Sequence, residues 1–71
     1  MNPRERELLT GMGNCYAACH ADFERTVQMV AQARDLREAH VKEMLARLRR
    51  EFGETAEFQR LRARLPESFA F

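Results

Sequence analysis

The sequence predicts an all-α domain of three to four helices, with a helix-turn-helix near residues 26–45. Three observations carry that prediction. Ala, Leu, Arg, Glu, Met and Gln dominate the chain, and these are the strong helix formers. Only two prolines and three glycines interrupt it, and β-branched residues are few. Apolar residues recur at steps of three and four, the spacing of one helical face. At 71 residues there is room for a single domain spanning residues 1–71, and 45% apolar content separates it from a disordered chain.

Asn2, Pro3 and Glu5 read as a helix start, with Asn2 as N-cap, Pro3 in the first turn and Glu5 returning a bond to the cap. Leu8, Leu9, Met12, Tyr16, Cys19, Phe23, Val27 and Val30 then share a helical spacing, with a kink or restart at Asn14 after Gly11 and Gly13. A second apolar series, Val41, Met44, Leu45, Leu48 and Phe52, stops at Gly53, which suits a left-handed position past a helix end. Thr55 is placed to cap a short last helix carrying Phe58, Leu61 and Leu65, which Pro66 ends. The tail after Pro66 is either loose or packed through its phenylalanines.

The segment around Asp35 admits two readings. In one, the helix breaks, and Asp35 and Glu38 form a capping box. In the other, one helix runs through Asp35, because Val27, Val30, Val41, Met44, Leu45 and Leu48 stay in phase at about 100° per residue. The unbroken helix implies a helical oligomerisation, adaptor or chaperone-like protein with a seam interrupted at Arg34 and Arg37.

With the break, Thr26–Leu45 resembles the helix-turn-helix of bacterial regulators and of the promoter-reading end of sigma factors. Thr26 would cap the first helix, Val30, Ala31 and Ala33 would face inward, and Leu36 would follow the turn. Ala39, Val41, Met44 and Leu45 would form the inner face of the second helix. The chain departs from the family at Arg34 and Asp35, where an apolar residue and a glycine are usual. The resemblance implies a transcriptional regulator or accessory factor that binds double-stranded DNA. The helix from about Arg37 to Phe52 would lie in the major groove. Arg37, Glu38, Lys42 and Glu43 would face base edges, Arg37 reaching guanine and either glutamate accepting from cytosine. Arg47, Arg49 and Arg50, with the amides near Thr26, would meet phosphates. Leu8, Leu9, Met12 and Tyr16 would supply the surface of a homodimer.

Charge is unevenly placed around a net +1: residues 1–36 carry four basic and five acidic groups, residues 37–64 eight and five. Cys15, Cys19 and His20 form C-x3-C-H, which fits neither the tight cysteine pairs of structural zinc sites nor haem attachment. The two thiols are read as small buried side chains, so no metal or other cofactor is expected. Neither His20 nor His40 has a sequence partner for catalysis, and no phosphate loop or nucleophile motif occurs, which points away from an enzyme. Without an apolar run near the roughly 18 residues of a membrane span, a cytoplasmic protein with no membrane partner is expected.

Overall fold

The computed structural model describes residues 1–69 and 71. Among these residues four helices follow one another: α1 (Pro3–Cys15), α2 (Phe23–Ala33), α3 (Glu38–Phe52) and α4 (Ala56–Arg62). Among the described residues, no helix is long and apolar enough to cross a membrane.

The predicted start of α1 is present as a capping box: the Glu5 amide donates to Asn2 Oδ1 (2.9 Å) and the Asn2 amide to Glu5 Oε1 (2.8 Å). Leu8, Leu9 and Met12 point inward and are almost wholly buried. The chain does not restart at Asn14. It leaves α1 at Cys15, makes one more turn, and reverses where the Ala21 amide donates to the Tyr16 carbonyl (2.8 Å) and the His20 amide to that of Ala17 (3.3 Å). His20 at φ 57° makes this a Schellman closure, and Ala21 repeats the left-handed conformation at φ 57°. A Cβ at positive φ is strained, so Ala21→Gly should raise stability by about 0.5–1 kcal/mol, net of glycine's greater unfolded-state entropy. Denaturant unfolding of the variant checks this, and an unchanged or lower midpoint would contradict it.

Asp22, not Thr26, caps α2: its carboxylate accepts from the Arg25 amide at 3.0 Å. Thr26 lies inside the helix, fully buried, with its hydroxyl donating back to the Asp22 carbonyl (2.7 Å) and its amide to the same oxygen (3.0 Å).

The helix is broken around Asp35, which overturns the unbroken-helix reading. Asp35 sits at φ 54°, the Leu36 amide donates to the Ala31 carbonyl (2.8 Å), and the Asp35 amide donates to that of Gln32 (3.3 Å). These two bonds satisfy carbonyls that a continuing helix would have given to its next turn. Asp35 therefore terminates α2 and does not cap α3. Arg37 takes that N-cap position, in extended conformation and with no side-chain hydrogen bond. Leu36 drops half-buried onto the core, as the turn reading requires. Arg34 loses an apolar contact but gains two others: Nη2 donates to the Glu7 carbonyl (2.8 Å), and Nη1 lies 3.8 Å from the Glu7 carboxylate. Gly11 leaves room for this, since a Cβ there would lie 2.8 Å from Arg34 Nη2.

Val27, Val30 and Ala31 of α2 meet Val41, Leu45 and Leu48 of α3 over the Leu8–Met12 face of α1. The shared phase of the two valine series comes from two helices facing one core. Gly53 is right-handed (φ −57°), not left-handed; a side chain there would collide with the Arg49 carbonyl. Thr55 caps α4 as predicted, accepting from the Phe58 amide at 3.2 Å.

The tail packs. Phe69 is 3% exposed, edge-on to Tyr16 (6.2 Å) and Phe23 (5.5 Å). Arg62 holds it there, donating to the carbonyls of Leu65, Pro66 and Phe69 at 3.2–3.3 Å, with its guanidinium 4.8 Å from the Phe71 ring centre.

Candidate nucleic-acid interface

α3 is amphipathic, and its burial pattern defines the candidate surface. Val41, Leu45 and Leu48 are wholly buried. The outer side of the first turns carries Glu38, Ala39, His40, Lys42 and Glu43, all exposed. At about 100° per residue, Glu43 and Arg50 stand opposite the buried stripe. Lys42 lies on the flank toward α2, where it meets Glu24, and Arg47 on the flank toward α1, where it meets Glu5.

The structure brings six of the seven predicted site residues to one solvent-facing surface: Arg37 at the cap position, then Glu38, Lys42, Glu43, Arg49 and Arg50. Among the described residues, Arg37, Glu38, Glu43, Arg49 and Arg50 form no ion pair. Lys42 is engaged: its Nζ lies 2.7 Å from Glu24 of α2, bridging the turn. That pair is exposed on both sides and holds the lysine only weakly.

Arg47 belongs to the fold. Its Nη2 donates to Glu5 Oε2 at 2.7 Å and its Nη1 lies 3.4 Å from Glu51. Glu5 is nearly buried, and the Asn2 amide hydrogen bond, reinforced by Arg47, holds its carboxyl below the ordinary 4.5 against a burial that pushes it up. Arg47 thus satisfies a buried carboxylate, so its predicted role as a phosphate contact is withdrawn. Of the amides near Thr26, those of Thr26 and Arg25 are spent within α2, on the Asp22 carbonyl and carboxylate.

The predicted dimer surface is also corrected. Leu8, Leu9 and Met12 are 0–1% exposed inside the protomer's own core, and Tyr16 is half-buried against Phe69. α1 folds back onto its own domain.

Two adjoining depressions lie beside α3, the first lined by residues of α3 alone and the second reaching across to α1. One, of about 550 Å³, is lined by His40, Glu43, Met44 and Arg50 among others; the next, of about 490 Å³, shares His40 and Met44 and extends to Arg4 and Arg34. Sequence reasoning missed the Glu5–Arg47 bridge, because it joins positions 42 apart and each had a sufficient local role. The Asp22 cap was legible, since Asp three residues before the amide it accepts is ordinary N-cap spacing. Comparison with protein-family models, curated proteins and solved structures finds no match.

Proposed function

We propose that this chain is a small DNA-binding module of the helix-turn-helix kind, which lays α3 in the major groove of a duplex and serves a transcriptional regulator or accessory role. The observation that carries the reading is the four-residue break at 34–37. It begins α3 afresh, with Glu38, Ala39, Lys42 and Glu43 of its first two turns exposed. A helix placed this way is the element that enters a major groove.

The roles follow from the free charges. Arg37 donates in a fork to guanine O6 and N7, and Glu38 and Glu43 accept from cytosine N4. Arg49 and Arg50 hold phosphates and set register. Lys42 releases Glu24 or reaches out beside it. The net charge of +1 makes the interaction weak, and two or three phosphate contacts give a logarithmic salt slope of about −2 to −3.

The test is a titration of the protein against mixed-sequence duplex DNA at low and moderate salt, beside an Arg37→Ala/Arg49→Ala/Arg50→Ala variant. None of these three arginines is ion-paired among the described residues, so the variant should fold. Binding that weakens with salt, and falls by on the order of tenfold or more in the variant, supports the reading. No binding at low salt, or a variant that binds like the parent, contradicts it.

A further inference from the structure

We propose that Cys19, Met29 and His20 form a binding site for a soft monovalent metal ion, Cu(I), away from α3 and independent of the DNA reading. Met29 is the one large hydrophobic side chain exposed among the described residues, at 41%. Its Sδ lies 3.8 Å from the Cys19 thiol, which is itself 4% exposed. The two sulfurs line one surface cleft of about 330 Å³ together with His20, Arg25, Gln28 and Gln32. A buried thiol thus stands against an exposed thioether in a cleft that His20 also lines.

The spacing suits a shared ion. Two metal–sulfur bonds of about 2.3 Å, opened to an angle between tetrahedral and trigonal, put their sulfurs roughly 3.8–4.0 Å apart. The donor set decides which ion. Thiolate and thioether select Cu(I), imidazole is compatible with it, and no carboxylate lines the cleft to attract a hard cation. On binding, the Cys19 thiol releases its proton and the thiolate carries one negative charge. The thiolate–Cu(I) unit is then neutral and meets no opposition from Arg25, the one charged residue of the lining.

C-x3-C-H alone points to none of this, because the second sulfur comes from α2, ten residues further on. Cys15 does not line the cleft and serves as an internal control for ordinary thiol binding.

The experiment is an anaerobic competition for Cu(I) between the protein and a chromogenic Cu(I) chelator. Wild type and Cys15→Ser should each withdraw one equivalent. Cys19→Ser, Met29→Leu and His20→Ala should each bind more weakly, by on the order of tenfold or more. Met29→Leu conserves volume on an exposed position, so circular dichroism should show an intact fold. Met29→Leu or His20→Ala that competes as well as wild type would overturn the site, as would loss of binding in Cys15→Ser or no competition by wild type.

Discussion

Replacing Phe69 with alanine should lower the stability of the fold by about 3–5 kcal/mol. A chain of this length holds roughly 4–11 kcal/mol in all, so the variant is expected to be marginal or unfolded. The effect is large for a residue outside every helix. Phe69 is 3% exposed and fills the space between Tyr16, which follows α1, and Phe23, the first residue of α2. Both neighbours meet it edge-on, the arrangement that aligns ring edge with ring face. Arg62 fixes the backbone that delivers the ring through three carbonyls, so the surroundings cannot readily close over the gap. Phe71→Ala should cost less, since that ring is only partly buried. Urea unfolding followed by circular dichroism checks both, and a loss below about 1 kcal/mol at Phe69 would contradict the packing described.

Arg47→Met should cost about 1–3 kcal/mol at neutral pH, because it leaves the nearly buried Glu5 carboxylate short of a charged partner. The pH dependence separates this cause from lost packing. Glu5 has a folded value depressed below 4.5, first by the Asn2 amide and then by Arg47. Its contribution to stability is therefore fully present above 4.5 and is lost as pH falls through the folded value. Without Arg47 the depression is smaller, so the variant has less to lose in acid. The gap between wild type and Arg47→Met should narrow below pH 4.5. A gap of constant size from neutral to acid pH would show that the arginine acts only through its aliphatic contacts.

The helices were legible in the sequence because they rest on local chemistry. The Asn2–Glu5 box, the Thr55 cap and the apolar steps through Val41, Leu45 and Leu48 each involve residues within a turn or two of one another. Asp35 was harder. Its capping-box spacing to Glu38 was real, but a left-handed Asp closing α2 satisfies two carbonyls at once, and that closure won. The reversal at His20 and Ala21 was illegible because alanine is not a left-handed former and histidine adopts that conformation only occasionally.

Arg47 shows the limit most clearly at the candidate site. On a helical wheel it is another cation at the edge of the outer face, three residues before Arg50. Only the fold-back of α1 brings Glu5 against it. The same fold-back consumes Leu8, Leu9 and Met12, which by spacing alone serve a dimer surface equally well.

The central claim is that the outer face of α3 meets DNA, and amide chemical-shift mapping during a duplex titration tests it most directly. Shifts concentrated at residues 37–43 and at Arg49 and Arg50, with the buried face of α1 unmoved, are the predicted result. Shifts scattered over α1 and the tail, or none at low salt, would contradict it.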